Sequence, residues 1–254
     1  MVKTATFLAL VILVTSLCPC SFAQSLDQSY YQKIVPAANN AKALELQRLE
    51  TAALNKPEEI DNYYDLAKAF APTSERVWAI VYAEAYCSHT SDAKRFLEIS
   101  SLMGKVYESS LIYKSDNNAT ISFMQVAEID HASGRVPFEM NFEISIAYGF
   151  KDYNRFKNLS IATIHDIRIN QLRVWKEKKL PDHGLIDWLQ QVSDAGMLEA
   201  YDYWLLQNFR PAEYAVWSTK NNVKLSEFLT WRKTHQFDLT KKNFHRLYSI
   251  SASP

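Results

Sequence analysis

The sequence predicts a mainly α-helical protein of stacked antiparallel helical hairpins, and three observations support this fold class. Long stretches are dominated by Ala, Leu, Glu, Gln, Lys and Arg, which are strong helix formers. Helix start and stop signals recur at short intervals, so consecutive helices are expected to lie beside each other. The chain has only five glycines, so folds that depend on Gly-rich phosphate-binding turns are not expected.

Residues 1–23 have the composition of an export signal. One lysine supplies a positive start, the segment 5–17 is apolar apart from hydroxyl side chains, and residues 21–23 have the small-x-small form of a signal peptidase site. Pro19 interrupts the apolar run before it reaches the roughly 20 residues that span a membrane. We therefore expect cleavage after Ala23 and a periplasmic or secreted mature chain without a transmembrane segment.

Cysteine usage follows from this cleavage. Two of the three cysteines, Cys18 and Cys20, would leave with the signal, so the mature chain would have no intramolecular disulfide. Lipid attachment to one of them is the alternative, but Leu17 and Pro19 stand where a lipoprotein normally carries Gly or Ala. Cys87 lies in an apolar helical run, where we expect a buried side chain rather than a nucleophile.

We expect a single helical domain over residues 24–254. Residues 24–114 are predicted to form helical hairpins, and residues 151–254 a C-terminal helical part. Between them, residues 115–150 are expected to carry a short β-hairpin near 120–147. No long linker or low-complexity tract separates these parts, which favours one continuous body over independent domains.

The β-hairpin is expected because apolar and polar residues alternate over residues 138–146, the period of a half-buried strand. A loop containing Asp, Ser and Gly separates this run from an apolar run at 121–129, as in many hairpins. Two helices are the alternative interpretation, the second beginning at Pro137 and ending at Gly149. Of the two, we favour the hairpin.

One helical pair, at about 60–93, resembles a tetratricopeptide repeat. The aromatic, Leu, small, aromatic and downstream Ala spacing of that family is matched by Tyr63, Leu66, Ala67, Phe70 and Ala79. The resemblance covers about one repeat, and no second copy follows at the period of the family. It implies a concave helical surface that binds peptides or proteins and has no catalytic residues. The segments 184–206 and 227–231 are similar to the tails of exported bacterial proteins, which implies a compartment and no mechanism.

The sequence contains no recognised catalytic or metal-binding pattern. No histidine lies three or four residues from another, as zinc hydrolases require, and no Gly-x-Ser-x-Gly turn occurs. Adjacent acid and histidine residues at 130–131, 165–166 and 182–183 are expected in turns or on the surface, and Glu139 and Glu143 on a solvated face. We predict no catalytic residue, no metal site and no cofactor, while enzymatic activity stays open.

Aromatic residues concentrate in the C-terminal part of the chain. The candidates for an exposed platform that binds sugars or peptide side chains are Trp188, Tyr203, Trp204 and Trp217. The competing interpretation is a core stripe, because several aromatic residues recur there at helical spacing. Exposure of these rings distinguishes the two interpretations.

Charge and motifs together suggest a binding protein. The 28 basic and 28 acidic residues balance, so nucleic-acid binding is not expected. We expect a non-enzymatic exported protein that presents a surface to a protein or peptide. The alternative is a cell-envelope hydrolase or carbohydrate-binding protein that uses the aromatic region. A binder of a secreted toxin is a third hypothesis, and the oligomeric state is not predicted.

The signal prediction is tested by the mass of the exported protein. We expect the secreted form to begin at Gln24, because signal peptidase requires small residues at the cleavage site. Ala23→Tyr is expected to leave the signal attached, whereas Ser25→Tyr, beyond the site, is expected to be processed normally. An intact mass that includes residues 1–23 in the wild-type exported protein would contradict the prediction.

Overall fold

The computed structural model describes residues 31–35, 40–125 and 136–247. They form a mainly helical protein whose helices pack against each other, with one small antiparallel sheet, which confirms the predicted fold class. The predicted signal lies outside the described residues. Among the described helices, none is both long enough and apolar enough to cross a membrane.

Residues 40–110 contain four successive helices. They are α1 (Asn40–Asn55), α2 (Asp61–Phe70), α3 (Val77–His89) and α4 (Ala93–Ser110). Each helix packs against the next, and α2 also contacts α4. The start of α4 is fixed by Asp92, whose carboxylate accepts the backbone N–H groups of Lys94 and Arg95, both at 3.0 Å. Such a side chain replaces the hydrogen bonds that the first turn of a helix lacks.

Helix α3 lies at the centre of this part. All of its residues except the last, His89, are buried, as expected for a helix that is apolar on every side. Its one charged residue, Glu84, is therefore removed from water and needs internal partners. Those partners come from the C-terminal part of the chain.

The sheet pairs β1 (Leu111–Ser115) with β2 (Asn118–Ile121). The strands are antiparallel with Leu111 opposite Ile121, and the register shifts between Tyr113 and Ser115. This hairpin begins directly after α4 and therefore lies earlier than the predicted one. The predicted loop between its strands, at 130–135, lies outside the described residues.

The expected strand at 138–146 is wrong, because this segment forms the helix α5 (Phe138–Gly149). Its polar residues alternate with apolar ones, but they bind other parts of the chain rather than water. Glu139 accepts the Trp78 indole N–H at 2.9 Å, and Glu143 accepts backbone N–H groups of Phe123 and Met124. The predicted solvated face for the two glutamates is wrong for the same reason.

The C-terminal part consists of shorter helices. They are α6 (Ile161–Lys178), α7 (Gly184–Asp194), α8 (Leu198–Leu205), α9 (Pro211–Lys220) and α10 (Asn222–Trp231). A 3₁₀ turn (Tyr153–Asn158) precedes α6, and another (Lys242–Phe244) follows α10. Helix α8 is central here, because α6, α7, α9 and α10 all contact it.

The turn that follows α8 also contacts the first part of the chain. The backbone N–H of Asn208 donates to the Ser100 hydroxyl at 2.9 Å, and the Phe209 ring packs directly on Gly104. Gly104 lies inside α4, where a glycine normally weakens a helix. Its role is to leave room for the ring of Phe209.

Gly104→Ala is therefore expected to destabilise the protein by about 1–3 kcal/mol, because the added Cβ would overlap the Phe209 ring. In a helix interior without this neighbour the same change stabilises by roughly 0.5–1 kcal/mol. Urea unfolding measures the sign. In a Phe209→Ala background, which removes the ring atoms that the added Cβ would overlap, the cost of Gly104→Ala should shrink. Equal costs in both backgrounds would show that the ring is not the cause.

Candidate functional site: a buried ion network that reaches the surface at His165

The most distinctive constellation in the protein is centred on Arg168. This residue lies on α6 and its side chain is fully buried. One guanidinium nitrogen donates to the Glu84 carboxylate on α3, and another donates to Asp202 on α8 at 2.8 Å. A third nitrogen lies 3.4 Å from the Tyr107 hydroxyl on α4. One side chain thus joins four helices.

Two aromatic residues complete the hydrogen bonding of Glu84. The Tyr201 hydroxyl donates to the second carboxylate oxygen of Glu84, and the Trp188 indole N–H donates to the Tyr201 hydroxyl at 3.0 Å. Burial raises the pKa of the Glu84 carboxyl, and the nearby charge of Arg168 lowers it. Each of these buried side chains thus has a hydrogen-bond partner within the network. A polar network is stable inside a protein only when its members are satisfied in this way.

His165 forms the outer end of the network. Its Nδ1 lies 2.7 Å from the second carboxylate oxygen of Asp202, and its side chain is partly exposed. Burial lowers the pKa of His165, but the hydrogen bond and charge of Asp202, with the charges of Glu199 and Asp166, outweigh it and raise the pKa. The protonated imidazole adds a second positive charge beside two buried carboxylates that otherwise share one guanidinium.

The structure corrects the expectation that His165 and His183 lie in turns or on the surface beside their acidic neighbours. His165 binds Asp202 and not its neighbour Asp166, which pairs with Arg155 at 2.6 Å. His183 was expected in a turn or on the surface, but it is buried and its ring nitrogen caps the start of α7. Neither arrangement is visible in sequence, because the partners of both rings depend on how helices pack.

Glu199 connects the network to the helices α9 and α10. It lies one turn before Asp202 on α8, and it accepts the Trp217 indole N–H at 3.0 Å. It also pairs with Lys224 at 2.9 Å. The hydrogen bonds from Trp217 and Lys224 lower its pKa, although burial acts in the opposite direction. Glu199 therefore stays charged beside His165.

The four candidate platform residues are all packed inside the protein. Their exposed fractions lie between 4% for Trp188 and 7% for the other three. Tyr203 stacks on Trp217 with ring centroids 4.4 Å apart, and Trp204 packs on Phe96 at 4.6 Å. Burial favours the core interpretation of these rings, and it removes the exposure that the sugar-binding hypothesis required.

Cys87 is buried in α3, in agreement with the expected small core residue. Burial raises the pKa of its thiol well above the ordinary value, so the reactive thiolate is disfavoured. Within the described ranges, no group of three or more His, Cys, Asp or Glu side chains is placed to hold a metal ion.

Helices α9 and α10 are separated by Asn221 alone, and five exposed residues on them carry no charge. Four of the five share one side of α9 at helical spacing, and the fifth lies in the first turn of α10; they are Ala212, Ala215, Val216, Thr219 and Val223. Val216 is 57% exposed and Val223 is 64% exposed. We call these five residues the outer strip.

Comparison of the chain with models of protein families, with curated proteins and with solved structures found no match. The residues themselves therefore have to support any functional hypothesis.

Asp202→Asn is expected to lower the pKa of His165. The substitution removes the hydrogen-bonded carboxylate that contributes most to raising this pKa, whereas the effect of burial, which lowers it, remains. A raised folded-state pKa stabilises the fold below the unfolded pKa, and this stability is lost as pH rises through the folded value. NMR titration of the imidazole measures both proteins, and Asp166→Asn is the matched control, expected to change the pKa far less. An unchanged His165 pKa in Asp202→Asn would contradict the assignment.

Proposed function

We propose that this chain is an exported, non-enzymatic protein that binds a protein or peptide partner through the outer strip of α9 and α10. The observation that carries the proposal is the exposure of Val216 and Val223 in a strip without a charged side chain. Helices pack closely where small and β-branched residues recur three and four positions apart. A partner helix or an extended peptide is the ligand that suits such a surface.

The buried side of α9 and α10 packs against α8. Trp217 on α9 and Phe228 on α10 are buried there, at Tyr203 and Tyr201 respectively. Lys224 adds its ion pair with Glu199. Because these contacts hold both helices on α8, the outer strip is free to serve recognition.

The tetratricopeptide resemblance supports a binding role in a general way. Tyr63, Leu66, Ala67 and Phe70 are buried on α2 and Ala79 on α3, and the two helices pack against each other as a hairpin. Stacked helical hairpins commonly present extended binding surfaces. Membership in that family, like export, forms part of the proposal.

The alternative of a carbohydrate-binding protein or hydrolase has less support. It relied on exposed aromatic rings, and the indole N–H groups of Trp188 and Trp217 donate to partners within the protein. A ring whose faces and polar atom are already occupied offers a sugar little surface.

Site-specific photo-crosslinking tests the binding proposal. A photoreactive amino acid at position 216 is expected to capture one recurring protein when the chain is expressed and exported in its own host. The same amino acid at position 44 is the control, because Leu44 on α1 is similarly exposed, at 53%, but lies outside the outer strip.

Purified components complete the test. The double variant Val216→Glu/Val223→Glu should bind the captured protein at least about tenfold more weakly, since a charge must be desolvated at a packed interface. Leu44→Glu should bind as the wild type does, and all three proteins should have similar melting temperatures. Equal capture at positions 216 and 44, or full affinity of the double variant, would refute the outer strip as the binding surface.

A further inference from the structure

The C-terminal strap, residues 242–247, closes one side of the protein. It begins with the 3₁₀ turn Lys242–Phe244, which packs against α7. The fit is close, because a Cβ at Gly184 would lie 2.8 Å from the Phe244 side chain. The strap therefore covers the first turn of α7.

Arg246 anchors the strap to α1. Its side chain is buried and donates to the Glu50 carboxylate from Nε at 2.9 Å and from Nη2 at 2.6 Å. The Tyr31 and Tyr82 hydroxyls donate to the same carboxylate, with Tyr82 at 2.8 Å. The guanidinium also lies 4.5 Å from the centre of the Tyr31 ring.

Two buried imidazoles meet at this strap. His245 belongs to it, is 2% exposed, and packs against Phe244 and Tyr63 with ring centroids at 4.1 and 6.0 Å. His183, 3% exposed, immediately precedes the covered turn of α7 and stacks on Phe138 at 3.4 Å. Both rings are surrounded mainly by aromatic side chains, which solvate a positive imidazolium poorly compared with water.

The hydrogen bonding of His183 identifies its neutral form. Its Nδ1 accepts the Leu185 backbone N–H at 3.2 Å, so the ring proton is on Nε2. Nε2 is buried, and within the described part of the chain no acceptor faces it. A protonated ring would lose the bond to Leu185, since Nδ1 would become a donor.

The charged groups around the two rings do not favour their protonation. The pKa of His183 is lowered to about 3 by burial and by His245, and the pKa of His245 to about 4 by burial and by the charge of Lys242. Carboxylates on the neighbouring elements have other partners, with Glu139 bound to Trp78, Asp187 to Lys241 and Glu50 to Arg246. Asp182, adjacent to His183 in sequence, and Glu58, whose charge acts on Tyr63, are both exposed.

We propose that the C-terminal strap is an acid-sensitive closure: protonation of His183 and His245 releases residues 242–247 from α7 and α1 while the helices α2–α4 stay folded. Release lets both rings take up protons in water. It uncovers the first turn of α7 and the aromatic cluster beneath the strap. The strap shares no residue with the outer strip, so each proposal can be tested without the other.

The size of the effect follows from proton linkage. A group with a lowered pKa in the closed form contributes nothing to opening well above pH 6.5, and it favours the open form increasingly as pH falls toward the closed-form pKa. With ordinary values of about 6.5 in the open form, the two rings together shift the opening equilibrium about 500-fold between pH 7 and pH 5. Burial raises the pKa of Glu139, which favours the closed form on acidification, but Glu139 lies on α5 and is not part of the strap.

Hydrogen exchange at single amides tests the proposal. The reporters are the His245 amide, which donates to the Lys242 carbonyl, and the Leu185 amide. After correction for intrinsic exchange rates, their protection is expected to fall about 500-fold from pH 7 to pH 5. Amides in α3 should keep their protection over the same range, and equal loss at all sites would indicate global unfolding and overturn the proposal.

Variants assign the effect to the two rings. In the double variant His183→Asn/His245→Phe, the loss of protection between pH 7 and pH 5 should shrink to less than about tenfold. Asparagine can still cap α7, and phenylalanine keeps a ring in the strap. The single variant His245→Phe should still lose about 20-fold of its amide protection over this pH range. It tests the proposal even if the double variant is unstable. His235→Asn, in the segment after α10 and outside the strap, is the matched control and should show the full fall in protection. A full fall in His245→Phe, or an NMR titration of either wild-type ring near 6.5, would also overturn the proposal.

Discussion

The buried guanidinium of Arg168 is the constraint on which much of the structure depends. It lies between carboxylates on α3 and α8 that are far apart in sequence, Glu84 and Asp202. Such a group is stabilising only while its partners are in place, since an uncompensated buried charge costs about 3–5 kcal/mol. The central helix of the first part and the central helix of the second part are therefore held in one relative position.

A second buried ion pair, between Arg246 and Glu50, holds two other distant segments together. Arg246 meets Glu50 beneath two tyrosine hydroxyls, so a residue near the C-terminus is held against α1. In both places aromatic side chains surround the charges and donate hydrogen bonds to the carboxylate. The aromatic residues that the sequence suggested as a ligand platform thus pack in the interior, and the surface that we propose for recognition is the outer strip of α9 and α10.

Local sequence signals specify most of the helices. Pro211 lies in the first turn of α9, where proline is favoured, and the Ser160 hydroxyl caps the start of α6. The burial of Cys87 and the pairing of α2 with α3 were also predictable, because both depend on apolar spacing along a helix. These features are local, so a single sequence contains the information that specifies them.

The partners of the polar residues depend on tertiary packing. Glu139 and Glu143 alternate with apolar neighbours as in a strand, yet α5 forms because both carboxylates find donors on other segments. His165 and Arg168 likewise receive partners from α3 and α8. Hydrophobic periodicity reports which side of an element is buried, but it does not identify the partner of a buried charge. That partner is set by how the helices pack, which brings together residues that are distant in sequence.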